Sequence, residues 1–328
     1  MENQIKKIAV LTSGGDAPGM NAAIRSVVRS CAYYNIECVG VYRGYQGMIE
    51  GDFKEMGARS VGNIINKGGT ILKSARSLEF MTKEGRQKAY DYLKKEGIDA
   101  FVVIGGDGSF TGALVFNQEF NFPVMGIPGT IDNDIFGTNY TLGYDTALNT
   151  VVEVIDKIRD TASSHNRLFF VEVMGRDVGH IALNAGVGAG AEEILIPEEN
   201  LGLDRLIESL KKSKKSGKSS SIVVVAEGDK IGKNVFELAE YVEENFPFYE
   251  VRVSVLGHMQ RGGTPSCFDR VLASRMGVKV VESLIEGKSN LMVGVIDNKM
   301  VLTELDKAIK GKSKINRELL KVSDIMTT

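Results

Sequence analysis

The chain has 328 residues, 43% hydrophobic and 25% charged, a length that fits two domains of roughly 150 residues or one large one. Forty basic against 42 acidic residues leave a net charge of -2, which argues against a general nucleic-acid binder. Cys31, Cys38 and Cys267 form no zinc or CxxC pattern, so free thiols in a reducing compartment are expected, and a chain this long needs no disulfide to hold its core.

Glycine is the one excess, at 37 residues, where the usual share is about 7%. The surplus is clustered, and the clusters follow short apolar runs. Ile8–Leu11 runs into Thr12-Ser13-Gly14-Gly15-Asp16, Phe101–Ile104 into Gly105-Gly106-Asp107-Gly108-Ser109, and Val124–Ile127 into Pro128-Gly129-Thr130-Ile131-Asp132-Asn133-Asp134. Further on, Leu168–Val173 leads into Met174-Gly175-Arg176, Ile222–Ala226 into Glu227-Gly228, and Val251–Leu256 into Gly257-His258. Near-continuous apolar runs of this length suit strands covered on both faces, as in parallel sheets. Between them, Lys83–Lys95 is rich in helix formers, and 147–159 carries Leu148, Val151, Val152, Ile155 and Ile158 on one helical stripe. Alternating strands and helices predict an α/β fold, whose ligands sit at the carboxyl ends of the strands.

No apolar stretch approaches the roughly 20 residues of a membrane span. Met1–Lys7 has no signal-like apolar core, so a soluble, cytoplasmic protein without a membrane partner is expected. The stretch 205–218, with six basic residues and one acid, reads either as a solvated helix end and loop or as an anion site. The lysine-rich tail from Leu305 reads as a solvated closing helix.

Several turns have residue types suited to phosphate chemistry. Gly14–Asn21 matches neither GxGxxG nor GxxxxGK[ST], so neither a dinucleotide fold nor a Walker loop is indicated; it is a tight turn or an anion loop at a helix start. In Gly105–Ser109, three glycines surround one carboxylate, which makes a backbone cradle beside a Mg²⁺ ligand, or a turn stabilised by Asp107. Asp132 and Asp134 supply two carboxylates at i and i+2, able to divide metal binding and general-base work, or to cap a turn. His258 with Arg167, Arg176, Arg252 and Arg261 offers cations for an anionic substrate.

Five ordered segments, 11–21, 105–109, 128–134, 173–176 and 256–263, together resemble the ATP-dependent phosphofructokinases of the bacterial type. The resemblance runs from Ile8 to about Gly277. It implies two domains, each a largely parallel sheet flanked by helices, with the active site in the cleft between them. The larger would take 1–142 plus 259–305 and bind ATP, the smaller 143–258 plus 306–328 and bind fructose 6-phosphate. The implied reaction moves the γ-phosphoryl group of MgATP to O1 of fructose 6-phosphate, the committed step of glycolysis. Asp132 would be the general base, with Thr130 and Arg176 as catalytic partners, and Asp107 and Asp134 would hold Mg²⁺. Gly15, Tyr45, Arg76, Ser77, Gly105, Gly106, Asp107, Gly108 and Ser109 would bind ATP. Thr130, Ile131, Asp132, Met174, Gly175, Arg176, Glu227, His258, Met259, Gln260 and Arg261 would line the sugar-phosphate site, with Arg167 and Arg252 reaching in from a neighbouring subunit of a homotetramer.

Pyrophosphate-dependent relatives usually carry Asp and Lys where Gly108 and Gly129 stand, so these glycines favour ATP as the donor. Ser77 replaces an aromatic residue frequent near the adenine, which implies a looser nucleotide preference. A site for a nucleoside diphosphate or phosphoenolpyruvate effector is implied at Arg25, Arg29, Arg159, Gly190, Glu192 and Lys218. Ala58 and Ser216 replace common cations of that site, implying weaker or altered regulation.

Overall fold

The computed structural model describes residues 5–162, 167–199, 202–215, 221–228 and 234–326. In chain order the first elements are β1 (Lys7–Thr12), α1 (Met20–Tyr33), β2 (Glu37–Val41), α2 (Gly44–Glu50), β3 (Phe53–Glu55), α3 (Lys83–Lys95), β4 (Ala100–Gly105), α4 (Asp107–Phe120) and β5 (Val124–Pro128). The middle comprises α5 (Tyr144–Ala162), β6 (Arg167–Val173), α6 (His180–Gly188), β7 (Glu193–Leu195), α7 (Gly202–Lys215), β8 (Ser221–Ala226), α8 (Val235–Asn245) and β9 (Glu250–Val255). The chain closes with α9 (Cys267–Ile285), β10 (Leu291–Ile296), β11 (Lys299–Glu304), α10 (Leu305–Lys310) and α11 (Arg317–Met326). All six apolar runs form strands, and the Lys83–Lys95 helix has the bounds its composition predicts.

The chain forms two compact units. One comprises Met1–Ile131, Ile135–Thr146 and Arg261–Ser313; the other comprises Asp132–Asp134, Ala147–Gln260 and Lys314–Thr328. The first contains a seven-stranded sheet in the order β11-β10-β5-β4-β1-β2-β3, and the second a four-stranded sheet in the order β7-β8-β6-β9. Every pairing is parallel except β2 with β3 and β10 with β11. Each of these antiparallel partners is an edge strand; β11 follows β10 after a two-residue turn, and β3 follows β2 after the short helix α2.

Helix starts follow local rules. Thr82 accepts the Gly85 amide before α3, Ser266 accepts the Asp269 amide before α9, and Asn234 with Glu237 forms a full capping box before α8. Each bond satisfies a first-turn N–H that has no acceptor one turn back. One core gathers Phe101, Phe110, Phe116 and Phe122 with Leu11 and Val103; the other gathers Leu168, Phe170, Val223, Leu238 and Val242.

One expectation changes. The tail from Leu305 forms two helices rather than one solvated helix. Leu305 and Ala308 are buried, because α10 turns one apolar edge into the first core. The basic stretch begins inside α7, which runs to Lys215 and buries Leu206 and Leu210; its end at 216–218 lies outside the described residues.

Asp269 ties α9 to the start of α5 in the first unit. It is fully buried, and its carboxylate accepts the amides of Gly143 and Thr146 and the Thr146 hydroxyl. Burial outweighs these bonds and raises the carboxyl from the ordinary 3.8 to about 6. The folded state therefore holds the proton more tightly than the unfolded chain, so this group's stabilising contribution is full in acid and is lost as pH rises through about 6. In urea unfolding at fixed protein concentration, the stability lead of wild type over Asp269→Ala is expected to be larger near pH 4 than near pH 7. A lead that grows with pH would contradict this account.

Candidate active site

The five motif segments all lie at the carboxyl ends of parallel strands: after β1, β4 and β5 in the first unit, and after β6 and β9 in the second. The strand order β5-β4-β1 makes the first three loops neighbours, and the order β8-β6-β9 does the same for the loops carrying Glu227, Met174–Arg176 and His258.

In the first unit the convergence centres on Gly105. Its carbonyl accepts the Gly129 amide, and a Cβ built on it would lie 2.5 Å from both the Ser13 carbonyl and the Ser109 hydroxyl. Only a residue without a side chain lets these loops approach so closely. Gly106 lies against Thr130, and Gly106 accepts the amides of Ser109 and Phe110 as α4 begins. Asp107 and Gly108 are thus the first two residues of a helix whose amino end faces the loop, an arrangement that favours anions. A Cβ at Gly108 would meet nothing within 4 Å, so the space beside this turn is open.

Tyr45 is buried next to this turn. Its ring stacks on Phe80 at 4.0 Å and its hydroxyl donates to the Ser109 carbonyl. Burial pushes its phenol far up, so it stays a neutral donor. Ser77 is also committed, donating to Gln46 Oε1 and accepting the Phe80 amide; Arg76 is exposed next to it. Asn21, absent from the predicted site, pins the 67–71 loop by bonds to the carbonyls of Lys67 and Gly68 and to the Ile71 amide. Its signal was a polar residue inside an otherwise apolar helix start.

Thr130 and Ile131 are buried in the first unit, where Thr141 donates to the Thr130 carbonyl. Asp132 is buried and Asp134 half-buried, on either side of Asn133 at φ 53°, and all three group with the second unit. Among the described residues, no three or more His, Cys, Asp or Glu cluster as a metal site. The residues present suit Mg²⁺ shared with phosphates, which takes one or two carboxylates and keeps several waters. Arg261 covers Gly15, its Nη1 lying 2.6 Å from where a Cβ would stand.

In the second unit, Arg176 takes a left-handed φ of 59°, and its amide donates to Glu227 Oε1 at 2.6 Å. A Cβ on Gly228 would strike the Arg176 carbonyl at 2.1 Å, so the turns after β6 and β8 touch backbone to backbone. Burial, and secondarily the charge of Glu227, pushes the Glu172 carboxyl up. Gln260 is fully buried and bonds the Met174 amide, whereas His258 and Met259 are exposed. Gly175 lies between Met174 and Arg176 in the same turn.

Arg167 and Arg252 do not join this cluster. Arg167 is the first residue of β6, at its amino end, so along the strand it stands roughly 20 Å from Met174. It pairs with Glu250, which also holds Arg252. Glu250 is a further residue that the motif reading missed; it sits two positions before Arg252 on the same strand.

The predicted effector residues also fall into two groups. Arg25 and Arg29 line a surface hollow of about 380 Å³ on α1 with Tyr33 and Tyr34. Burial, then the charge of Arg29, lowers the Arg25 pKa. Arg159 donates to the Ala189 and Gly190 carbonyls and lies 3.6 Å from Glu192. Lys218 and Ser216 lie outside the described residues, and Ala58 is exposed.

Two α/β units with glycine-turned loops at the carboxyl ends of parallel strands define a ligand-binding α/β protein of the open-sheet class. The phosphofructokinase family profile matches residues 7–284. The chain is 53% identical over 318 residues to ATP-dependent 6-phosphofructokinase 2 of Bacteroides thetaiotaomicron, covering 97% of each. It is likewise 53% identical over 322 residues to ATP-dependent 6-phosphofructokinase 1 of Thermus thermophilus, covering 98% of this chain and 99% of that one. The phosphofructokinase structure from Saccharomyces cerevisiae superposes with a TM-score of 0.89 at 36% identity, covering 98% of this chain and 46% of the yeast chain. This chain therefore spans about half of the yeast one. A pyrophosphate-dependent phosphofructokinase from Marinobacter aquaeolei shares the fold at 21% identity, with a TM-score of 0.83 over 96% of this chain and 86% of that one. The chain belongs to the phosphofructokinase family. Among the described residues, no helix is long and apolar enough to cross a membrane.

The two glycines of the cradle differ in what surrounds them. Gly105→Ala is expected to lower unfolding stability by about 1–3 kcal/mol, because the methyl must displace backbone. Gly108→Ala is expected to leave the melting temperature unchanged or slightly higher, since alanine suits a helix start and meets open space. Thermal unfolding of both variants checks the contrast; equal losses would contradict it.

Proposed function

We propose that this chain transfers the γ-phosphoryl group of MgATP to O1 of fructose 6-phosphate, giving fructose 1,6-bisphosphate and ADP, the committed step of glycolysis in the cytoplasm. The observation that carries the reading is the position of all five motif loops at carboxyl ends of parallel strands, in a chain 53% identical to proteins named ATP-dependent 6-phosphofructokinases. The first unit binds the nucleotide and the second the sugar phosphate.

The ATP phosphates rest on the Gly105–Ser109 turn, where helix amides and open space at Gly108 accept an anion. Tyr45 keeps that turn in shape from beneath by holding the Ser109 carbonyl. Asp132 takes the O1 proton as the oxygen attacks the γ-phosphorus, and Thr130 orients the sugar beside it. Arg176 balances the charge of the phosphoryl in transit. Asp107 and Asp134 would hold Mg²⁺, which supplies charge neutralisation on the phosphates. Glu227, Met174, His258 and Arg261 contact the sugar phosphate. Gly108 and Gly129, standing where pyrophosphate-dependent relatives usually carry Asp and Lys, favour ATP over pyrophosphate as donor.

The roughly 20 Å between Arg167 and Met174 along one strand supports the reading that Arg167 and Arg252 serve the site of a neighbouring copy. The working enzyme is then a homotetramer. Arg25, Arg29, Arg159, Gly190, Glu192 and Lys218 serve an effector site for a nucleoside diphosphate or phosphoenolpyruvate between subunits.

A coupled assay for fructose 1,6-bisphosphate tests the reading. Wild type is expected to turn over with ATP, and Asp132→Asn to lose roughly 10²-fold or more in kcat while still binding substrate. Turnover with pyrophosphate alone would overturn the donor assignment, and none with either donor would overturn the activity. Arg25→Ala is expected to blunt the response to diphosphate and phosphoenolpyruvate without changing basal turnover; an unchanged response argues against the effector site.

A further inference from the structure

In the second unit, one buried side chain joins the turns after β6 and β9. Gln260 Oε1 accepts the Met174 amide at 3.2 Å, and Gln260 Nε2 donates to the Gly257 carbonyl at 3.1 Å. Met174 begins the turn that leads to Arg176, and Gly257 begins the short 3-10 turn Gly257–Arg261 that carries His258. Gln260 itself has no exposed surface. A buried amide can supply an acceptor to one loop and a donor to the other at the same time.

The turn it holds needs support. Arg176 sits at φ 59°, a region that costs a non-glycine residue energy and persists only where surrounding contacts fix it. Glu227 fixes the turn from the β8 side through the Arg176 amide, and Gln260 fixes it from the β9 side through the Met174 amide.

We propose that Gln260 is a positioning residue for the sugar phosphate rather than a contact to it: its amide sets the spacing between the Met174–Arg176 turn and the His258 turn, so that both meet one ligand. The proposal rests on the sugar-phosphate reading of these turns given above. It predicts that damage to Gln260 weakens fructose 6-phosphate binding and leaves ATP binding alone.

Gln260→Glu keeps the shape and makes the donor depend on pH. Ionised, the carboxylate still accepts from Met174 but presents an oxygen to the Gly257 carbonyl; protonated, its hydroxyl donates to that carbonyl again. Burial and the facing carbonyl both favour the protonated acid, so the donor returns as pH falls. Relative to wild type at the same pH, its KM for fructose 6-phosphate is expected to be roughly tenfold higher near pH 8.5, the scale of one buried unsatisfied group, and to recover toward wild type near pH 6. Gln260→Met, which can make neither bond, is expected to stay high at both, with KM for ATP unchanged in either variant.

An unmoved KM in Gln260→Glu, or a rise identical at both pH values, overturns the role of Gln260 while wild-type turnover keeps the activity standing. A wild type that does not turn over fructose 6-phosphate overturns the site reading, and the role of Gln260 falls with it. Should the variants not fold, amide exchange in the wild-type protein decides: the Met174 amide is expected to be protected without ligand, and exchange as fast as an exposed loop overturns the proposal.

Discussion

Where β4 ends, the space that a methyl group on Gly105 would occupy is already filled by the Ser13 carbonyl and the Ser109 hydroxyl, each 2.5 Å away. This exclusion sets the geometry of the first unit's candidate site. It brings the loop after β1 against the first turn of α4, and the Gly105 carbonyl then fixes the loop after β5 through the Gly129 amide. The amino end of α4 is thereby held within a ring of backbone, and side chains such as Tyr45 act behind it. A phosphate contacted mainly by main-chain groups is held by atoms that have few rotamers to lose on binding.

The second unit reaches a comparable result by different means. Its carboxyl-end turns meet through one backbone contact, Gly228 against Arg176, and through two side-chain bonds to backbone amides, from Glu227 and Gln260. A left-handed arginine is the consequence. Gln260 has no exposed surface whereas Glu227 is exposed, so a conservative replacement of Gln260 acts on geometry rather than on direct contact.

Much of this was legible in the sequence because of how parallel strands are covered. Phe101–Ile104 and Ile222–Ala226 are apolar without alternation since both faces are buried, and the glycine turns after them stand out for the same reason that they are needed. The stripe of α5 and the limits of α3 were equally plain. What escaped notice depended on partners distant in sequence. Tyr45 sits in the core because Phe80, 35 positions on, stacks against it, and Gln260 is a brace because Met174 lies beside it in space. The pairing of Arg167 and Arg252 by Glu250 follows from the register of β6 with β9, which no motif records. The buried edge of α10 was obscured because it is short, Leu305 and Ala308 with Ile309 beside them, interrupted by Asp306 and Lys307.

The outer strands of the two sheets bear on how the protein behaves when concentrated. Among the described residues, the edges are β3 and β7, each three residues long, and β9 and β11, which carry Glu250 with Arg252 and Lys299 with Glu304. Short or charged edges offer a poor template for another chain's strand. Copies of this chain are therefore discouraged from joining sheet to sheet, which guards against disordered growth even at the high protein levels a metabolic enzyme can reach.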